Sequence, residues 1–131
     1  MKVRLLSVPH TGTRFTIKML KDNGIEYQHG HFWGTYKQPI IYEQSEPAII
    51  PLRDKDAVRH SWRRRHTSQY HMGLEPCWKE MLDFIDNNPG LCYLLHIDNP
   101  MKRDDDLMRI AGLVGKNIVV DFNLKVAEGQ P

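Results

Sequence analysis

Three short apolar runs, each followed by a turn and then by apolar residues at helical spacing, constrain this chain most. Val3-Arg4-Leu5-Leu6-Ser7-Val8 is bounded by Pro9 and reads as a buried strand. Phe15, Met19 and Leu20 then recur at helical spacing, and Asn23-Gly24 supplies a stop. Ala48-Ile49-Ile50-Pro51-Leu52 is the second run, with β-branched residues and an end near Pro51. A helix of weak periodicity is expected from Asp56 to about Gln69. Pro76 opens a better one, with Trp78, Met81, Leu82 and Ile85 on one face and Asn87-Asn88-Pro89-Gly90 at its end. Leu91 to Ile97 is the clearest strand. Asp104 suits the N-cap of a last helix, with Leu107, Met108, Ile110, Ala111 and Val114 apolar and Gly115 as its stop.

Weaker signals fill the remainder. Ile25-Glu26-Tyr27 reads as a short strand, and Ile118-Val119-Val120 as a last one. From His29 to Glu46 the pattern dissolves into Gly, aromatic, His and Pro residues, as in a long functional loop. Strands alternating with helices predict an α/β fold. Its form is a P-loop-like parallel sheet of about four to five strands flanked by helices.

With 131 residues, the expectation is one domain spanning 1–131. The 18 basic and 16 acidic residues nearly cancel, which argues against a nucleic-acid polymer as partner. No apolar run approaches the roughly 18 residues of a membrane span. The N-terminus does not read as a signal peptide, and Cys77 and Cys92 are too few for a disulfide framework. A soluble, cytoplasmic protein is expected. The net charge of +2 hides a window of +4 between Arg53 and His66. Such a local cluster suits a small anionic ligand, or else a solvated helix face.

Ligands in parallel α/β folds bind at the carboxyl ends of strands. Val8-Pro9-His10-Thr11-Gly12-Thr13-Arg14 lies at such an end, ahead of a helix. Helix N-terminal N–H groups there attract anions, and Gly12 permits close backbone approach. Thr11 and Thr13 add hydroxyls and Arg14 a cation. The segment also suits an ordinary strand-to-helix turn with a Thr cap. It lacks the Gly-Lys-Ser/Thr ending of a Walker A motif. After the second run come Arg53-Asp54 and, eight residues after Arg53, Ser61. An Arg fork and a Ser hydroxyl can converge on one phosphate, or can belong to a surface pair and a plain helix position.

Taken together, Pro9-His10-Thr11-Gly12-Thr13 and Arg53-Asp54…Ser61 resemble the two motifs of the sulfotransferases that use 3′-phosphoadenosine 5′-phosphosulfate (PAPS). In that family the first motif holds the 5′-phosphosulfate and the second the 3′-phosphate. Trp78 to Ile85, Tyr93 to Ile97 and Leu107 to Gly115 resemble its later elements, so the likeness covers roughly residues 1 to 115. His96-Ile97-Asp98-Asn99 stands where the family has Tyr-Glu-Asp-Leu. Departures are His10 in place of a Lys or Arg, Lys55 in place of a Pro, and no late Arg-Lys-Gly segment.

The resemblance implies sulfuryl transfer from PAPS to an unspecified hydroxyl or amine, with adenosine 3′,5′-bisphosphate as product. It assigns nucleotide contacts to His10, Thr11, Gly12, Thr13, Arg14, Phe15, Arg53 and Ser61, and a transfer role to His10. Phe15 and Trp62 suit either adenine stacking or the core. The reaction also needs a base. Glu26, His29, His31 and Glu43 are the candidates, with His31 favoured. Alternatives are a non-catalytic nucleotide-binding or interaction protein on the same fold, and a P-loop kinase relative. The aromatic stretch from Phe32 to Tyr36 also suits a protein contact. No zinc spacing is present in His29-Gly-His31 or His66-x4-His71-x5-Cys77.

Overall fold

β1 (Lys2–Ser7), α1 (Thr13–Asp22), β2 (Glu26–His31), α2 (Pro39–Tyr42), β3 (Ala48–Leu52), α3 (Lys55–Arg65), α4 (Leu74–Asn87), β4 (Cys92–His96) and α5 (Pro100–Val114) follow one another in a computed structural model. It describes residues 2–43, 45–65 and 73–120. The strands form one parallel sheet in the order β2-β1-β3-β4. The fold is therefore the expected P-loop-like α/β arrangement, with four strands among the described residues.

Alternation along the strands divides the core in two. Val3, Leu5, Ile49 and Leu95 face α1 and α5, where Phe15, Met19, Leu20, Leu107 and Ile110 cover them. Leu6, Ile50 and Leu94 face the other way, under Ile41, Val58, Trp62, Cys77, Met81 and Phe84 of α2, α3 and α4. The chain leaves β1 for β2 across one face and returns to β3 across the other. The carboxyl ends of β1 and β3 are thus a topological switch point, where parallel sheets leave a crevice. The β1–β3 ladder holds at Arg4–Ala48 and Leu5–Ile49, whereas β3–β4 runs from Ala48–Cys92 to Leu52–His96. Pro51 lies past the end of the first ladder and has no N–H to extend it.

Three buried charges serve the frame. Arg4 is 1% exposed; its Nε and Nη2 donate to Glu46 O at 2.9 and 2.7 Å, and its Nη1 donates to Ile41 O at 2.8 Å. A cation inside an apolar strand thereby ties down the crossover from β2 to β3. Burial lowers its pKa. Glu80 of α4 accepts from the backbone N–H groups of Gly34 and Tyr36, at 2.9 and 2.8 Å, and from the Tyr42 hydroxyl at 3.1 Å. Those bonds seat the aromatic 32–36 segment on α4. Asp106 of α5 accepts from both the backbone N–H and Nδ1 of His96, each at 2.8 Å, and from Arg109.

Four expectations need correction. β2 extends to His31, so His29 and His31 are strand residues and not loop residues. α5 starts at Pro100 rather than near Asp104, because Asn99 is the cap, its Oδ1 accepting from Lys102 N at 3.2 Å, and Pro100 suits the first helical position. Residues 118–120 form no strand; Asn23 brackets Val119, with Nδ2 to Val119 O at 2.8 Å and Oδ1 to Val119 N at 2.9 Å. On α4 the buried face is Leu74, Cys77, Glu80, Met81 and Phe84, while Leu82 is exposed. The part of the expected third helix beyond Arg65, and the tail from 121, lie outside the described residues. Among the described residues no helix is long and apolar enough to cross a membrane.

Candidate functional site

The turn from Val8 to Gly12 is held in a shape that its own residues do not favour. His10 and Gly12 have φ of 70° and 93°. Glycine adopts the left-handed region freely, whereas a side chain there is strained. Such strain persists only where neighbours impose it. Thr11 Oγ1 donates to Val8 O at 2.6 Å and closes the turn from inside. Gly12 caps α1 without a side-chain bond, and the first turn of α1 contains no acidic residue. Neither the cap nor an acidic residue of the first turn thus supplies an acceptor for the leading N–H groups, the arrangement that receives an anion.

The second motif meets this turn. Arg53 Nη1 donates to His10 O at 2.9 Å. Ser61 Oγ lies 3.3 Å from His10 Nδ1 in a hydrogen bond, and the His10 ring stands edge-on to Trp62 with centroids 5.5 Å apart. Residues 43 and 51 positions away along the chain therefore converge on one histidine. Arg53 Nε is buried and has no acceptor among the described residues. A buried cationic donor without a partner is uncommon and unfavourable by about 1–3 kcal/mol or more. Asp54 caps α3, its Oδ2 accepting from Ala57 N at 3.2 Å, while its own N–H goes to Asp98 Oδ2 at 3.0 Å. Along α3, Lys55 and Arg59 pair with Glu75, and Arg59 also with Asp56, so part of the basic window is neutralised.

Gly12 has a reason beyond anion approach. A Cβ there would sit 2.8 Å from Ile97 Cγ1. The turn is packed against the end of β4, which binds it to the sheet as a whole. Arg14 is exposed in the first turn of α1. Phe15 is 2% exposed and Trp62 7%, and both pack within the core clusters.

On the other side of the turn stands a group of hydroxyls and imidazoles. Thr13 Oγ1 donates to Ser7 Oγ at 3.0 Å, and Ser7 Oγ is 3.4 Å from His29 Nε2. His31 is the register partner of Ser7. Its ring is 4.3 Å from that of His29 and 4.6 Å from Trp33. Burial pushes the His29 pKa down. Sequence reasoning missed Ser7; its one signal was a hydroxyl inside an apolar run. Of the other base candidates, Glu26 and Glu43 are exposed. Cys77 and Cys92 are thiols. Among the described residues no group of three or more His, Cys, Asp or Glu is arranged to hold a metal ion; His66 and His71 lie outside them. No protein-family model, curated protein or solved structure matches the chain.

Proposed function

We propose that the crevice between the ends of β1 and β3 binds a 3′-phosphorylated adenine nucleotide, and that the chain transfers a sulfuryl group from PAPS to a hydroxyl or amine acceptor. One observation carries the reading. Arg53 and Ser61 both contact His10, two residues ahead of the Gly12 cap of α1, and Arg53 keeps a buried Nε–H without an acceptor among the described residues. A phosphate oxygen is the natural partner for such a group. The fit is reasonable on charge. Arg53 and the α1 N-terminus supply positive potential, Arg14 adds an exposed cation, and no acidic residue stands in the first turn.

The nucleotide would supply the sulfuryl group. The chain's own part is to hold the anion with the backbone of Thr11, Gly12 and Thr13 together with Arg53 and Ser61. His10, when protonated, places positive charge beside the turn, where negative charge grows on the leaving oxygen. A base from the end of β2, His31 or His29, takes the acceptor's proton. Both strands end at the same edge of the sheet, since Ser7 and His31 are register partners. A reducing, cytoplasmic setting suits two cysteine thiols.

A second reading is nucleotide binding without transfer. It is favoured by His10, whose Nδ1 is engaged by Ser61 and whose ring lies against Trp62. Calorimetry with adenosine 3′,5′-bisphosphate and AMP, followed by incubation with labelled PAPS and simple acceptors, tests both. Tighter binding of the bisphosphate supports the site, and transfer supports the enzyme. Equal affinity for the two nucleotides ends the assignment of Arg53 and Ser61. Tight binding without transfer selects the second reading.

A further inference from the structure

Ser7 is fully buried in a strand whose other inward residues are apolar, apart from Arg4. Its oxygen joins Thr13, the first residue of α1, to His29 of β2. A hydroxyl carries one proton. With Thr13 donating to Ser7, the Ser7 proton can be donated to His29 Nε2 when that nitrogen is the unprotonated one. That arrangement favours the neutral imidazole with its own proton on Nδ1. Burial acts in the same direction on the ring. The charged and titratable groups on the elements around His29 are Lys2 and Arg4 on β1, Arg14, Lys18, Lys21 and Asp22 on α1, Tyr42 on α2, and Glu26, Tyr27 and His31 on β2. His31 is the one in ring contact with it. Burial is the one resolved cause of its lowered pKa.

We propose that Ser7 is a positioning residue that relays the state of Thr13 to His29, so that an anion seated on the α1 turn makes His29 the better proton acceptor. The inference rests on the nucleotide site proposed above and deepens it. An anionic oxygen competes for the Thr13 proton, because hydrogen bonds to charged acceptors are the stronger ones. Once Thr13 turns to the anion, Ser7 loses that donor, and its oxygen is left with no donor competing with one from His29. His29 can donate to it only with a proton on Nε2. The filled turn therefore favours the protonated ring, and the empty turn the neutral one. His29, rather than His31, is the ring coupled to the nucleotide. It takes up the acceptor's proton readily only when the donor is in place.

Histidine side-chain NMR reads this directly in the wild type and in Ser7→Ala, Thr13→Val and Thr13→Ser. In the free wild-type protein His29 carries its proton on Nδ1. Thr13→Val, which removes the donor and keeps the shape, raises the His29 pKa by about half a pH unit or more. Thr13→Ser restores the wild-type value. An unmoved His29 titration in folded Thr13→Val overturns the relay, whatever a ligand does. Saturating adenosine 3′,5′-bisphosphate raises the His29 pKa in the wild type, and does so less in Ser7→Ala. An equal rise in both also overturns it. If the bisphosphate disturbs no resonance of the turn, the nucleotide reading fails, and the free-protein comparison alone decides the relay.

Discussion

The two flanks of the β1–α1 turn are built from opposite materials. On the β3 side a guanidinium, a hydroxyl and an indole close on His10 and hold a backbone conformation that histidine resists. On the β2 side two hydroxyls lead to two imidazoles in ring contact. The first flank carries a guanidinium with a donor to spare among the described residues. The second has protons whose positions can change without moving a heavy atom. Binding of an anion and handling of a proton call for just these two environments, and a single turn of chain separates them.

The largest effect expected from disturbing this arrangement comes from the glycine between the flanks. Gly12→Val places a Cβ against Ile97 at a φ of 93°. Strain and overpacking together should destabilise the protein by about 3 kcal/mol, read as a lower urea midpoint. Ile97→Ala should restore part of the loss, since only the overpacking is relieved. Full stability in Gly12→Val would mean that the turn is not pinned to β4.

Next in size is Arg53→Ala. Bisphosphate affinity should fall by about 1.5–3 kcal/mol, roughly ten- to a hundredfold, while AMP binding changes less. A uniform loss for both nucleotides would show that Arg53 supports the turn and does not read the second phosphate. His10 offers a finer probe. His10→Gly and His10→Ala both remove the ring, so they differ chiefly in tolerance of a φ of 70°. The glycine variant should be the more stable by about 1 kcal/mol in denaturant unfolding. Equal stability would mean that the strain is released by other means.

The smallest effect lies on the β2 flank. Burial disfavours the His29 imidazolium, so the folded protein holds that proton less tightly than the unfolded chain, whose value is the ordinary 6.5. Between 6.5 and the lower folded value the unfolded chain binds more protons. Stability should therefore fall as pH drops through that window and level off below it. His29→Gln should flatten this part of the profile in thermal melts recorded across pH. An unchanged slope would assign the effect to another group.

How legible each flank was in the sequence follows from how each is made. β1, its turn and α1 announce themselves through an apolar run, Gly12 and the spacing of Phe15, Met19 and Leu20. β4 is equally plain from Leu91 to Ile97. Arg53 and Ser61 could be singled out by spacing, because each lies at a predictable place relative to a strand end. That both close on His10 was not readable, since the contacts span 43 and 51 residues. β2 was half hidden. Its sequence Glu-Tyr-Gln-His-Gly-His shows no apolar alternation, and its place comes from backbone pairing with β1 between Lys2–Glu26 and Ser7–His31. Gly30 fits there because Gln38 and Ile40 pack where a Cβ would stand, 2.7 and 2.8 Å away. A strand defined by its neighbours rather than by its own side chains is what local patterns miss. The start of α5 was misread for a simpler reason: Asn99-Pro100 is a better start signal than the acidic residues after it.

The Asp106 carboxylate has a consequence for how copies of this chain meet one another. Among the described residues β4 is an outer strand, and an outer strand offers unpaired amides to any extended segment that drifts past. The amide of His96 is already taken by Asp106, whose carboxylate is 1% exposed and also holds the same residue's ring. A second strand seeking to lengthen the sheet here would have to displace a buried charge from two donors and from Arg109. The carboxyl end of that edge is guarded from within, by a helix lying over one face of the sheet rather than by charge displayed to solvent. The open end of the crevice can then stay exposed without inviting edge-to-edge aggregation.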